Sequence, residues 1–156
     1  MTDTAPLCCE LTSEQATREL AQRIAPHLRA GDLLVLDGPL GSGKTFFTRA
    51  LCYALGLPPD FRVPSPTFTL VHEHDTDPPL AHADVYRLTS EEEVIELGLE
   101  AQRETGSIVV VEWGRPYIHV LGGDALILSL TLDPRTAELQ ATGPSASKLL
   151  QAVRNS

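Results

Sequence analysis

The sequence predicts an α/β domain built on a mixed, largely parallel central sheet flanked by helices. Three observations carry this. Two short runs, Asp32-Leu33-Leu34-Val35-Leu36-Asp37 and Ile108-Val109-Val110-Val111 ahead of Glu112, are almost wholly apolar, the pattern of strands buried on both faces as in parallel sheets. Segments of helical period alternate with the strand-like runs. A glycine-rich stretch, Gly38–Thr45, joins the first buried run directly to a helical one, so it lies at a strand's C-terminal end, where α/β sheets place their ligands.

Leu7 to Leu11 reads as a short edge strand. Thr12 with Gln15 forms a capping box, and Ala16, Leu20, Ile24 and Leu28 recur at helical spacing. Pro26 should kink or end that helix early, with Gly31 as a stop. Asp32–Asp37 is the first buried strand. After the glycine-rich loop, Phe46 to Leu55 predicts a helix with Phe47, Ala50, Leu51, Ala54 and Leu55 on one face, ended by Gly56 and Pro58. Residues 57–66 carry four prolines and must be irregular.

Thr67 to Glu73 alternates as a strand, the Asp75–Pro79 loop turns the chain back, and Ala81 to Tyr86 is its expected antiparallel partner. Ser90 with Glu93 is a second capping box, opening a short helix closed by Gly98. Ser107 to Glu112 is the second buried strand. Leu126, Leu128, Leu130 and Leu132 share one face of a strand over Ala125–Leu132. Asp133-Pro134-Arg135-Thr136 turns it into a partner over Ala137–Ala141. Ser145 to Arg154 closes the chain as a helix.

A chain of 156 residues, 42% hydrophobic and 21% charged, suits a single domain with its own core. The net charge of −9 argues against a protein that grips nucleic acid by neutralising phosphates. Glu91, Glu92, Glu93, Glu96 and Glu100 make a local acidic patch, read as a solvated helix face, with a docking surface for a basic partner as the sharper alternative. Three cysteines, two of them adjacent, do not make a disulfide framework and fit a reducing compartment. No signal-peptide pattern opens the chain and the apolar runs are too short to span a bilayer, so a cytoplasmic protein with no membrane association is expected.

Gly38-Pro39-Leu40-Gly41-Ser42-Gly43-Lys44-Thr45 matches G-x-x-x-x-G-K-[ST] between a strand and a helix, the context that makes the pattern a phosphate-binding loop. Glycines let the backbone curve around phosphates with its N–H groups inward, and the helix N-terminus adds a field that favours anions. Leu40, Gly41, Ser42, Gly43, Lys44 and Thr45 are therefore the expected ATP-binding residues. Lys44 would reach the β- and γ-phosphates, and the Thr45 hydroxyl would ligate Mg²⁺. The fold expected is a P-loop NTPase-like domain, one domain over residues 1–156.

Phosphoryl chemistry also needs carboxylates beside the metal and the attacking group. Glu112 emerges from an apolar strand at the sheet end that faces the phosphates, which suits a Mg²⁺ ligand. Asp84 is a candidate for orienting water or binding metal, or it pairs with Arg87 or holds a turn. Ser65 and Thr67, in the proline-stiffened Val63–Thr67 segment, could sense the γ-phosphate as switch loops do. His72, His74, Asp75, Asp77 and His82 are read as a solvated hairpin end rather than a transition-metal site. No arginine finger stands out among Arg62, Arg87 and Arg115.

Gly38–Thr45, Ser65-Pro66-Thr67-Phe68-Thr69-Leu70-Val71, Asp84-Val85-Tyr86-Arg87-Leu88 and Val111-Glu112-Trp113, in this order, together resemble the TsaE family, the ATPase of bacterial tRNA threonylcarbamoyladenosine (t6A) synthesis. Glu14-Gln15-Ala16-Thr17 and Glu91-Glu92-Glu93 before Gly98 look similar too, and the agreement runs from about residue 10 to 115. The resemblance implies an ATPase that works with TsaD-like and TsaB-like proteins, tRNA being met only through that complex. It implies catalytic roles for Lys44, Asp84 and Glu112, and Mg²⁺ held by Thr45 and Glu112. It also puts Ser65 and Thr67 in a switch-like loop and Thr12 where the family's first helix approaches the nucleotide. Trp113 is expected to pack by the nucleotide, the partner surface or the core. Pro39, His74 and Gly114-Arg115 depart from the family pattern, which bears on the partner surface more than on the site.

Two rivals remain. A small-molecule kinase would need an acceptor pocket and an arginine-rich lid, for which the chain has little room. A non-catalytic nucleotide-binding adaptor would not need Lys44, Thr45 and Glu112 intact.

Overall fold

The protein is described here by a computed structural model, which covers residues 5–64 and 70–156. Seven strands form one sheet: β1 (Leu7–Glu10), β2 (Leu33–Asp37), β3 (Val71–His74), β4 (Leu80–Asp84), β5 (Ile108–Glu112), β6 (Leu126–Leu130) and β7 (Thr136–Ala141). Their order is β1-β7-β6-β2-β5-β4-β3. The four central strands β6, β2, β5 and β4 run parallel; β7 pairs antiparallel with β6, β1 antiparallel with β7, and β3 antiparallel with β4. This is the mixed, largely parallel sheet the apolar runs predict.

Alternate residues of each central strand enter opposite layers. Leu34, Leu36, Ile108, Val110, Leu126 and Leu128 pack with Phe47 and Leu51 of α2 (Lys44–Ala54) and with α1 (Glu14–Ile24) and α5 (Pro144–Arg154). Leu33, Val35, Val109, Val111 and Ile127 form the second core, against α3 (Glu91–Glu96), α4 (Leu99–Glu104) and a 3₁₀ helix over Arg115–Leu121. Burial on both faces is why β2 and β5 carry no polar residue until their last position.

Several local expectations need correction. Ser13, not Thr12, caps α1: its Oγ accepts the Ala16 N–H at 3.1 Å. Both residues have cap chemistry, and a one-residue shift leaves Thr12 outside the helix. Pro26 does end α1, but the chain continues as a 3₁₀ turn over Ala25–His27. Helix α2 begins at Lys44, two residues before the expected Phe46. The strand expected from Thr67 begins at Val71, because Leu70 has φ 63°, outside strand geometry; residues 65–69 lie outside the described residues. Gly98 closes α3 as expected, yet its left-handed backbone also opens α4, which the sequence reading missed. Strand β4 pairs antiparallel with β3 as expected and also lies parallel beside β5.

Candidate active site

The loop between β2 and α2 sits at the C-terminal end of the parallel strands. Its backbone is set by glycine: Gly38 has φ +145° and Gly43 φ +100°. A Cβ on Gly38 would lie 2.5 Å from the Leu130 carbonyl oxygen and 2.7 Å from Ser42 Oγ, so no side chain fits where the loop leaves β2. Gly43 ends the loop in a left-handed conformation and α2 begins with no side-chain cap. The first N–H groups of α2 are thus left for a ligand, and an anion is what they and the helix dipole favour.

The loop's end and two carboxylates converge because three strands are in register. Leu36 of β2 pairs with Glu112 of β5, and Glu112 pairs with Asp84 of β4. Glu112 is 2% exposed. Thr45, in the first turn of α2, donates its hydroxyl to the carboxylate, with Oγ1 at 3.0 Å from both Oε1 and Oε2. Asp84 ends β4 half-buried, and its Oδ1 accepts the Tyr86 N–H at 3.0 Å rather than pairing with Arg87. Burial pushes the Asp84 carboxyl above the usual range. The Tyr86 N–H opposes this, the Glu112 charge adds to it, and His82 and Lys44 counter it.

Lys44 is buried, and its Nζ donates to the carbonyls of Gly38 at 2.6 Å and Pro39 at 3.0 Å. The same ammonium lies 4.0 Å from the centroid of the Trp113 ring, which itself lies tilted at 45° against Tyr86 with ring centroids 4.8 Å apart. Burial pushes the Lys44 ammonium below its ordinary value, against the attraction of Glu112, Asp84 and Asp37. Trp113 thus packs in the site, half-buried over its lysine.

On the other side of the loop a cavity of about 400 Å³ is lined by Thr12, Glu14, Thr17, Gly41, Ser42 and Arg135, among others. Its size and its position beside the loop suit the nucleoside end of a phosphate-bearing ligand. Thr12 lines this cavity even though it is not the helix cap. Leu40 is at the loop's apex and 68% exposed. Ser65 and Thr67 lie outside the described residues.

The geometry brings Lys44, Thr45, Asp84 and Glu112 together and adds two residues the sequence reading missed. Arg135 was read only as part of a turn; its guanidinium reaches the Gly41 carbonyl at 3.5 Å, at the cavity. His82 was placed at a solvated hairpin end. It is instead fully buried, with Nε2 at 2.5 Å from Glu112 Oε2. His74 is buried as well, and burial, reinforced by His82 and His72, pushes its imidazole below the ordinary value. A signal was present: His82 interrupts an otherwise apolar run from Leu80 to Ala83, which a solvated turn would not need. Arg115, for its part, is engaged by Asp37 at 2.8 Å and by Ser129.

The Thr45 hydroxyl and Glu112 carboxylate offer oxygen donors only, the chemistry of a hard divalent cation such as Mg²⁺. A hydroxyl can keep donating to the carboxylate while its oxygen faces a metal. Among the described residues there is no His, Cys, Asp and Glu group of the kind that holds a transition metal, and no helix is long and apolar enough to cross a membrane.

Residues 11–140 match the family model described as threonylcarbamoyl adenosine biosynthesis protein TsaE. The chain is 43% identical over 117 residues to the tRNA threonylcarbamoyladenosine biosynthesis protein TsaE of Streptomyces coelicolor, covering 72% of this chain and 77% of that one. It is 33% identical over 150 residues to the protein of the same name from Rickettsia felis, with 94% and 86% covered. The crystal structure of Bacillus subtilis YdiB superposes with a TM-score of 0.79 at 27% identity, over 99% of this chain and 97% of that one.

Proposed function

The chain belongs to the TsaE family, whose role is in t6A biosynthesis on tRNA, and we propose that its part in that process is to bind and hydrolyse Mg²⁺–ATP as a single ATPase domain in the cytoplasm. The observation that carries this is the Thr45 hydroxyl held 3.0 Å from a buried Glu112 carboxylate, in the first turn of an uncapped helix. The triphosphate lies along residues 40–45, with the helix N–H groups on its oxygens and the nucleoside in the cavity beside Thr12 and Arg135. Lys44 leaves the Gly38 and Pro39 carbonyls to reach the β- and γ-phosphates. Thr45 and Glu112 would hold Mg²⁺, which when bound would neutralise charge on the phosphate oxygens. Asp84, one strand over from Glu112, orients the attacking water. Burial favours the protonated form of its carboxyl, so the approach of Lys44 or a partner's cation would sharpen its acceptor role.

TsaD-like and TsaB-like proteins are the proposed partners. A net charge of −9 fits a subunit that meets tRNA through them and not by its own surface. Arg115 is tied to Asp37 and Arg135 lies on the cavity side, so hydrolysis by the isolated chain is slow and a partner completes the site. The test is phosphate release from Mg²⁺–ATP with and without the cognate TsaD-like and TsaB-like proteins and tRNA. Strong stimulation is expected, with Lys44→Ala and Glu112→Ala each abolishing release. Equal rates with and without partners would overturn the partnership, and retained rates in either variant would overturn the site.

A further inference from the structure

Glu112 carries a charge at 2% exposure, a costly placement unless both carboxylate oxygens are engaged. The Thr45 hydroxyl supplies one proton, shared between Oε1 and Oε2 at 3.0 Å each. The shortest contact is to neither backbone nor solvent but to His82 Nε2, 2.5 Å from Oε2. His82 lies in the middle of β4 and pairs with Val110, two residues before Glu112 on the neighbouring parallel strand, so both side chains leave the same face of the sheet. His82 is itself fully buried, with buried Leu80 on the same face of β4 and β3 paired along the strand's other edge.

The second ring nitrogen, Nδ1, is buried with no hydrogen-bond partner among the described residues. A donor stranded at Nδ1 would be costly, which favours the arrangement in which Nε2–H donates to Glu112 and Nδ1 is left as a bare acceptor. It also argues against a filling role. An apolar side chain would occupy this space without leaving a buried nitrogen unpaired, so what a histidine contributes here is the bond to Glu112.

We propose that His82 is a positioning residue, which anchors Glu112 Oε2 so that Oε1 and the Thr45 hydroxyl present a fixed pair of oxygens to the metal. Fixing a ligating carboxylate through an outer hydrogen bond is worth about 10- to 100-fold in metal affinity. The inference rests on the reading of Glu112 as a metal ligand.

The test measures Mn²⁺ binding to the full chain with a non-hydrolysable ATP analogue, read by the electron paramagnetic resonance signal of free Mn²⁺, in His82→Leu, His82→Asn, His82→Gln and Glu112→Gln. A glutamine amide reaches the Nε2 position, whereas asparagine reaches only that of Nδ1. Leu and Asn should weaken Mn²⁺ binding by about 10- to 100-fold, Gln should restore most of it, and metal-free nucleotide binding should be alike in all three. Wild-type Mn²⁺ affinity in the Leu and Asn variants, with loss in Glu112→Gln, would overturn the role of His82 and leave the metal assignment standing. Unchanged affinity in Glu112→Gln would overturn the metal assignment itself, and the role of His82 with it. If His82→Leu does not fold, the Gln and Asn pair decides, and equal affinity in those two overturns the proposal.

Discussion

Replacing Thr45 by valine removes one oxygen at nearly constant shape, and the structure says what that oxygen does. Its proton is donated to a carboxylate that is 2% exposed and whose other contact is His82. A hydrogen bond to a charged group is worth about 1.5–3 kcal/mol, and losing one partner of a buried charge leaves the desolvation cost in place. In a chain of this size each kcal/mol shifts the melting temperature by about 2–4 °C, so Thr45→Val should melt roughly 3–12 °C lower without any ligand. The second effect is separate. At the proposed metal site the cation would lose a ligand with the hydroxyl, so affinity for Mg²⁺ in the presence of nucleotide should fall by at least the roughly 10- to 100-fold that an outer partner is worth. Calorimetry reads the first effect. The second can be followed by the fluorescence of Trp113, which is the chain's one tryptophan and lies 4.0 Å from the Lys44 ammonium. Thr45→Ser keeps the hydroxyl and should stay near wild type in both. If Thr45→Val kept the wild-type Mg²⁺ dependence, the assignment of this corner as the metal site would be wrong. Unchanged melting would mean that the hydrogen bond to Glu112 is not formed in solution.

Other outcomes follow from the same geometry. Arg135→Ala should lower nucleotide affinity about 10- to 100-fold, the worth of one charged hydrogen bond, with melting unchanged because the side chain is exposed; equal affinity in equilibrium dialysis would place the nucleoside elsewhere. Cys52 is fully buried and burial pushes its thiol up to about 12, whereas Cys8 is exposed. Peptide mass spectrometry after brief iodoacetamide treatment should therefore find Cys8 modified and Cys52 modified only in denaturant. Ser90→Ala removes the cap of α3 and should cost about 1 kcal/mol at neutral pH in denaturant titrations. Glu93, held below its ordinary 4.5 first by the Thr89 N–H and then by the Ser90 and Thr89 hydroxyls, contributes above that value and loses its contribution as pH falls through its folded value. The Ser90→Ala deficit should accordingly shrink in acid, and a deficit that grows there would contradict the capping geometry.

What could be read from the sequence was what lies within one segment. Gly38–Thr45 carries its own strand, loop and helix, and Glu112 announces itself as the acid that ends a fully apolar strand. The Ser90 cap was legible for the same reason. His82 was not, because its role depends on β4 lying parallel beside β5, a pairing between residues 30 apart in the chain. The antiparallel pairing of β3 with β4 could be inferred from a short loop, and it drew the histidines toward a solvated hairpin end. Arg135 was hidden likewise: it reaches Gly41 only because β6 pairs with β2 and brings the β6–β7 turn over the phosphate loop. The misplaced α1 cap has another origin, since two adjacent residues with equal cap chemistry give a local rule nothing to choose between.

The residue after Glu112 shows how the site holds its shape. Trp113 has φ 65°, a left-handed backbone that a bulky side chain adopts only at a cost of roughly 1–3 kcal/mol. The strain is offset locally. The Trp113 N–H donates to the Leu36 carbonyl at 2.9 Å, extending the β2–β5 pairing one residue beyond Glu112. Gly114 follows with no room for a Cβ, which would fall 2.8 Å from a Val111 methyl. The chain therefore turns sharply at the point where the carboxylate leaves the sheet, and the turn lays the indole over Lys44. A relaxed extended residue here would carry the chain on past the strand end and leave Lys44 uncovered among Asp37, Asp84 and Glu112. The strained peptide thus joins Glu112, the proposed metal ligand, to the cover over Lys44, the proposed phosphate contact. That linkage is why a change in what Lys44 contacts when nucleotide arrives should be read out by Trp113.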